Sequence, residues 1–161
     1  EGRYYLFYNA KNVSTGRWYE QTGVAWSDNL TTWHRNPANP ILVNGPEGSF
    51  DEVFASDPCV VHDEGRWYAF YFGLSFDWHA RDGVAVSTDL VHWQQSHRPI
   101  LDVGSPGDVD AQHAHKPVVI ASGRAIYHFY TAVSFLPGGR QRVGEVETNE
   151  SRGISFAVWE Q

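Results

Sequence analysis

The chain has 161 residues and a formal net charge of −7, and it is 42% hydrophobic and 15% aromatic, with seven Trp and a single Cys. That length accommodates one ordinary domain, and no stretch reaches the roughly 20 consecutive apolar residues of a membrane-spanning helix, so we expect a soluble protein without a membrane partner. The acidic balance and the scarcity of Lys argue against nucleic acid as a partner, and one Cys excludes an internal disulfide and a Cys-based zinc site. Neither observation decides the compartment.

Short extended segments separated by Gly, Pro and polar loops follow one another along the chain. They are rich in Val and aromatic residues, which favour strands, and none has helical periodicity. In the turn at residues 28–33, Asp28 is predicted to cap backbone N–H groups. In chain order the predicted strands lie at residues 3–9, 18–26, 34–42, 59–62, 66–72, 83–87, 93–95, 111–120, 127–133 and 154–159.

Two sequence elements recur along the chain. Gly-Arg followed by an aromatic-rich run occurs at residues 2–8, 65–71 and 123–130. Gly-Val-Ala-x-Ser followed by Leu and Trp occurs at residues 23–33 and 83–93, with a weaker trace at residues 152–159. The period of about 60 residues indicates one supersecondary unit used several times. Four short strands in such a unit are typical of a β-propeller blade, although the unit is slightly long for one.

The repeated motifs resemble the blades of five-bladed propeller glycosidases. Asp-Pro-x-Val-Val begins at Asp57, Gly-Arg-Trp-Tyr-x-Phe-Tyr spans residues 65–71, and Gly-Val-Ala-x-Ser-x-Asp-Leu-x-x-Trp spans residues 83–93. This combination is similar to the arabinanases and β-xylosidases of glycoside hydrolase family 43 and to their relatives among the fructosidases and neoagaro-oligosaccharide hydrolases. The resemblance covers nearly the whole chain.

The resemblance implies an all-β fold, a partial five-bladed β-propeller of roughly two and two-thirds blades. The expected division of the single domain 1–161 is the remainder of blade one in 1–46, blade two in 47–106 and blade three in 107–161. Because the chain opens partway through a blade, we expect a fragment from which the remaining blades of the same propeller are missing.

The function implied by the resemblance is that of a glycoside hydrolase, which hydrolyses O-glycosyl bonds of an oligosaccharide by acid/base catalysis. In these families, groups at the inner ends of three successive blades face a central pocket. Asp57 matches the second carboxylate, which orients the acid and tunes its pKa, whereas the first would lie before Gly2. The third, usually a Glu acid, falls within residues 112–117, where His113, His115 and Lys116 stand instead. A His in this role resembles the neoagaro-oligosaccharide hydrolases.

Two alternatives remain open for the whole chain. A non-catalytic carbohydrate-binding propeller is favoured by the missing Glu and disfavoured by the retained Asp57. A protein-interaction propeller gives no reason for carboxylate and His side chains to converge at the inner strand ends.

The residues themselves allow more than one role. His113 and His115 alternate along a strand and so project to the same face, where one could donate a proton, because imidazole titrates near neutrality. They could equally pack or hold an ion; we assign no metal ligands and no cofactor, and the resemblance leaves room only for a structural calcium ion in the channel. Asp57 could merely cap a turn.

A second group of residues is expected to bind the sugar. Asp51 is expected at the pocket rim, where the alternative is a solvated loop, and Lys116 near the proton donor. Trp78 and His79 lie in a loop expected to cover the pocket mouth, with Trp78 as a flat platform for sugar C–H surfaces. Arg140 and Arg142 could bind a substrate carboxylate, or belong to a mobile loop.

Overall fold

Ten β-strands account for the regular structure of the chain in a computed structural model that describes residues 2–14, 16–137 and 149–160. Within these ranges there is no helix, and hence none long and apolar enough to cross a membrane. The strands are β1 (Tyr4–Asn12), β2 (Tyr19–Ser27), β3 (His34–Arg35), β4 (Phe54–Asp63), β5 (Arg66–Leu74), β6 (Ala80–Ser87), β7 (Gln94–Gln95), β8 (His113–Ser122), β9 (Ala125–Phe135) and β10 (Glu150–Glu160).

The strands form one continuous open sheet with the order β1-β2-β4-β5-β6-β8-β9-β10, while β3 pairs with β2 and β7 with β6. Pairing is antiparallel within each group of neighbouring strands, and the groups meet through short parallel contacts, Glu20 opposite Phe54 and Ala80 opposite His113. We call β1–β3 blade one, β4–β7 blade two and β8–β10 blade three. The predicted all-β, partial-propeller architecture is therefore confirmed; the residue boundaries proposed between the blades stay a prediction.

The apolar core lies where blades one and two meet and inside blade two. The ring of Phe50 wedges against the backbone of β5 and β6: a Cβ added to Gly83 would sit 2.3 Å from Phe50 Cζ, and one added to Gly73 would sit 2.6 Å from Phe50 Cδ2. Only Gly permits this approach, so the first residue of the repeated Gly-Val-Ala motif has a packing role. The main buried cluster comprises Leu42, Phe50, Ala55, Ala69, Tyr71 and Ala85.

The turn after each Gly-Val-Ala strand is capped by a different residue from the one predicted. In blade two, Asp89 Oδ1 accepts the backbone N–H groups of Val91 (2.9 Å) and His92 (2.8 Å). The equivalent residue in blade one is Asn29, whereas Asp28 forms an ion pair with Arg3. The prediction of Asp28 as the cap was wrong by one position. In an Asx turn the side chain accepts the backbone N–H two residues later, and here that side chain belongs to Asn29, which accepts the N–H of Thr31.

The outward face of blade three is apolar and exposed. Ile154 is 83% exposed and Phe156 is 59% exposed. The equivalent residues of blade two, Val84 and Val86, are half-buried. Blade three packs on blade two, with the rings of Phe70 and His128 in edge contact at 5.9 Å between centroids. The face that is half-buried in blade two is therefore exposed in blade three.

Candidate active site

Two β-bulges at equivalent places in β4 and β8 position the polar residues predicted from the sequence. Strand pairing skips from Ser56 to Cys59 in β4 and from His115 to Val118 in β8. Asp57 and Lys116 each stand inside a bulge and before a Pro, and both have left-handed backbones, with φ of 48° and 62°. A bulge tolerates Pro and re-aims the neighbouring side chain, so the local sequence turns Asp57 and Lys116 out of the regular pleat.

Side chains from three blades meet at Asp57. The amide of Asn9 in β1 donates to Asp57 Oδ1, and Asn9 Oδ1 accepts the backbone N–H of Asp57 at 2.9 Å. From β8, Lys116 Nζ lies 3.4 Å from Asp57 Oδ2. The Asp57 side chain remains 34% exposed. Asn9 was not predicted, because nothing in its local sequence distinguishes it from any other polar strand residue.

The two histidines of β8 lie side by side and are nearly buried. Their ring centroids are 5.4 Å apart in an edge-to-face arrangement, and His113 and His115 are 8% and 7% exposed as whole residues. His115 also packs its ring against Phe72, at 5.5 Å between centroids. The backbone N–H of Ala80 donates to His113 Nδ1 at 3.1 Å, so in the neutral ring the proton is on Nε2.

Both imidazoles are unprotonated at neutral pH. Burial, together with His79 and Arg152, lowers the pKa of His113 to about 4, against the opposing effect of Glu150. Burial likewise lowers the pKa of His115 to about 3, helped by His113, Lys116 and Arg152. A proton donor must be protonated before it can transfer its proton, and these pKa values disfavour that state at pH 7.

A cavity of about 180 Å³ lies beside the two histidines. Its lining combines apolar side chains with cations and imidazoles. Among the residues that the structure describes, its walls are formed by Phe54, Phe72, Leu74, Ala80, His113, His115, Lys116 and Arg152. His115 Nδ1 is buried and has no hydrogen-bond partner within the described ranges.

Three charged residues of the site were missed in the sequence. Arg152, on the cavity wall, pairs through Nε with Glu150. Glu20 Oε2 accepts the hydroxyl of Ser56 at 3.1 Å, directly before Asp57. Glu20 and Glu150 each stand three residues before the repeated Gly of their strand and are thus equivalent. Aligning the repeats position by position, rather than by motif, is the signal that could have found them.

Asp51 requires a correction. It is fully buried, and its carboxylate accepts hydrogen bonds from the hydroxyls of Ser49 and Tyr71, both at 2.8 Å, and contacts His97 Nδ1 at 3.0 Å. The loop before β4 turns inward at Phe50, so the carboxylate that follows is enclosed with its partners. Asp51 therefore does not lie on the pocket rim, and it is not a solvated loop residue either.

Trp78 and His79 lie next to the cavity but do not form its wall. Trp78 is half-buried and packs on the cluster of Val53, Phe72, Leu74 and Ala80. The Trp78 carbonyl accepts Gln112 Nε2–H at 2.9 Å, and His79 Nδ1 lies 2.9 Å from the Gln112 carbonyl oxygen, so both residues are tied to the start of blade three. Arg140 and Arg142 lie outside the described residues.

Metal-binding geometry is absent from the described ranges: they contain no group of three or more His, Cys, Asp or Glu side chains arranged to hold an ion. The candidate site is thus a set of carboxylate, ammonium, guanidinium and imidazole groups around a small cavity.

Solved structures that resemble this fold include glycoside hydrolases. A complex of BT0996 with RGII superimposes with a TM-score of 0.74 at 29% identity, over 98% of this chain and 41% of that protein. Another structure, described as a glycoside hydrolase, gives 0.73 at 29% identity, over 96% and 40%. Zg3597, a family 117 glycoside hydrolase from the marine bacterium Zobellia galactanivorans, gives 0.77 at 16% identity, over 100% and 50%.

These similarities establish the class of fold but do not assign the chain to a family. No known family model and no curated protein matches the chain. The chain spans half or less of the length of these solved structures, 41%, 40% and 50% respectively. Its fold is that of the propeller-type glycoside hydrolases, which confirms the predicted superfamily in its general form.

Proposed function

We propose that the protein to which this chain belongs hydrolyses O-glycosidic bonds of an oligosaccharide by acid/base catalysis. The observation that carries the proposal is the junction at Asp57, which binds Asn9 of blade one and faces Lys116 of blade three beside the histidine-lined cavity. Acid/base hydrolysis needs an acid held in position at the scissile bond, and Asp57 is a partly exposed carboxylate, where blades converge, that can position it. Similarity to glycoside hydrolases at 29% identity supports it.

In this proposal Asp57 orients the acid and tunes its pKa, and His113 or His115 is the proton donor or its immediate neighbour. Because burial holds the pKa of His113 at about 4 and that of His115 at about 3, a histidine donor would be most active in acid. We therefore expect kcat/KM to fall as the pH rises above about 4. A Glu donor from outside the described residues would instead keep activity up to its own, higher pKa.

Lys116, Trp78 and His79 are proposed to contact the sugar. Lys116 is part of the cavity wall, and its side chain is 55% exposed. Trp78 and His79 are half-buried beside it, so each can offer only the open part of its ring.

A non-catalytic carbohydrate-binding protein is the second candidate. It is supported by the absence of Glu from residues 112–117 and by the low pKa values of His113 and His115, which leave neither imidazole protonated at neutral pH. Such a protein would bind the sugar through the cavity and the aromatic side chains, and it would need no catalytic acid.

The experiment that separates the two uses the full-length protein. Release of reducing sugar and of aryl alcohol is measured over a panel of oligosaccharides and aryl glycosides between pH 3.5 and 8, and binding is measured by calorimetry with the same ligands. Hydrolysis of any glycoside supports the first proposal. Binding without turnover across the panel would replace it with the second, and neither binding nor turnover would overturn both.

A further inference from the structure

The cavity beside the histidines has two cationic side chains in its wall. Lys116 enters from the bulge of β8 and Arg152 from β10, and both side chains are about half exposed, at 55% and 54%. We propose that this cavity binds an acidic sugar unit through the negatively charged group of that sugar, held by Lys116 and Arg152. The inference rests on the proposed function, since it specifies the saccharide that the same site takes.

Both cations already have a carboxylate partner, but neither partner uses up their hydrogen-bonding capacity. The distance from Lys116 Nζ to Asp57 Oδ2 is 3.4 Å, longer than the 2.7–2.9 Å typical of a charge-assisted hydrogen bond. Arg152 pairs with Glu150 through Nε, and a guanidinium has four further N–H donors on its terminal nitrogens. Lys contributes three donors and Arg a planar fork that matches a carboxylate or a sulfate.

Both cations act on the imidazoles beside them. Lys116 and Arg152 lower the pKa of His115, and Arg152 also lowers that of His113, against the opposing effect of Glu150. The two imidazoles are neutral at pH 7 and add no charge of their own. Two half-exposed cationic groups in the wall of one small cavity favour an anionic ligand.

The cavity wall beside the two cations also carries imidazole rings. His113 and His115 both belong to the wall and are 8% and 7% exposed. An imidazole nitrogen can donate or accept a hydrogen bond with a sugar hydroxyl. A ring hydroxyl at the imidazoles next to an anionic group at Lys116 and Arg152 is the pattern offered by a charged sugar.

Uronic acids and sulfated sugars both supply this chemistry, and matched ligands distinguish them. The full-length protein is titrated by calorimetry with uronic-acid disaccharides, with their methyl esters, with the neutral parent disaccharides and with sulfated versions of the parents, at low and high salt. We expect the acidic ligands to bind at least about tenfold more tightly than their methyl esters, with a preference that shrinks as salt rises. The series that binds more tightly, carboxylate or sulfate, identifies the anionic group that the cavity recognises.

Variants assign the effect to the two side chains. Lys116→Gln and Arg152→Gln should each lose most of the preference for the acidic ligand, while Lys116→Arg and Arg152→Lys, which keep the charge, should retain it. Arg66→Gln is the matched control, because Arg66 lies eight residues before Leu74 along β5, roughly 25 Å from the cavity. Thermal unfolding of each variant checks that it is folded.

Equal affinity for acid, ester and neutral parent would overturn the inference, and so would a preference that survives both charge-removing variants. In either case hydrolysis of neutral glycosides would leave the proposed function standing. Absence of binding by every saccharide would overturn the inference and the carbohydrate function together.

Discussion

The carboxylate of Asp57 and the ammonium group of Lys116 lie 3.4 Å apart across the junction of the second and third blades. Each residue stands inside a β-bulge, has a left-handed backbone and precedes a Pro, so the pair connects equivalent points of successive repeats. An acidic residue in one repeat and a basic residue in the next thus supply a charge pair where the blades converge.

Replacing Gly83 with Ala should destabilise the fold. The added methyl group would lie 2.3 Å from Phe50 Cζ, and the Phe50 ring has no room to retreat because it also abuts Gly73. Overpacking of this kind costs about 1–3 kcal/mol, measured as a loss in the free energy of unfolding in urea. Gly153→Ala, at the equivalent position of blade three, is the control: nothing lies within 4 Å, so a change within about 0.5 kcal/mol is expected. Equal effects of the two substitutions would contradict the packing described for blade two.

Tyr71→Phe should weaken the fold by removing a donor to the buried carboxylate of Asp51. That carboxylate is 0% exposed and accepts the Tyr71 hydroxyl at 2.8 Å. Leaving a buried charged group short of a hydrogen bond costs about 1–3 kcal/mol. The repeat offers a matched substitution, Tyr130→Phe, which removes the 2.7 Å bond to the half-buried Asp110 and should cost less. Chemical denaturation of both variants measures the difference, and a larger loss for Tyr130→Phe would contradict the buried role of Asp51.

Asp82→Asn should become more stable relative to the wild type as the pH rises from about 4 to 7. Asp82 and His128 are both 0% exposed and are joined by a 2.8 Å bond, and burial raises the pKa of Asp82 to about 7. The folded protein therefore keeps a proton on Asp82 that the unfolded chain releases above the ordinary pKa of 3.8. Because of this, the free energy of unfolding of the wild type falls as the pH rises. The relative change is at most about 1.4 kcal/mol per pH unit. A pH-independent difference in unfolding free energy would contradict it.

His115→Gln should show the opposite dependence. Burial, His113, Lys116 and Arg152 lower the pKa of His115 from 6.5 to about 3, so between those values the unfolded chain binds a proton that the folded protein does not. The neutral histidine contributes its full stability above about pH 6.5 and loses it as the pH falls toward 3. Wild-type stability relative to the variant should fall by at most about 1.4 kcal/mol per unit in acid. Denaturant titrations at pH 7, 5.5 and 4 measure this slope, and a slope of the other sign would show that the imidazole is charged when folded.

Local sequence was sufficient for the order of strands in the blades, although the strand predicted at residues 34–42 is reduced to His34–Arg35. The strands and the blade unit were predicted from the Gly-Arg and Gly-Val-Ala repeats and from the Gly and Pro loops between them. This was possible because strand and turn formation depend mainly on residues that are close together in the sequence. Local sequence failed where a side chain's environment is set by distant strands. Asp51 looks like any loop carboxylate until Tyr71 and His97 close over it.

The candidate site divides in the same way. Asp57, His113, His115 and Lys116 could be proposed from the sequence because Asp57 lies in the Asp-Pro strand motif and the other three lie at the matching place of the next repeat. Asn9 and Arg152 were missed because their positions depend on which strands come together, β1 with the bulge of β4 and β10 with the end of β8. The low pKa values of the histidines were also out of reach, since burial of both rings is a property of the packed blades.

The role of Asp57 in hydrolysis is tested by the kcat/KM of the full-length Asp57→Asn variant on a glycoside that the wild type hydrolyses. Asn tolerates the left-handed backbone of this position, and an exposed ion pair such as that with Lys116 is worth no more than about 1 kcal/mol, so the variant should fold normally. We expect a fall of about 100-fold or more, while Arg66→Gln should stay within about twofold. An unchanged kcat/KM in a folded Asp57→Asn variant would contradict the role of Asp57 in catalysis.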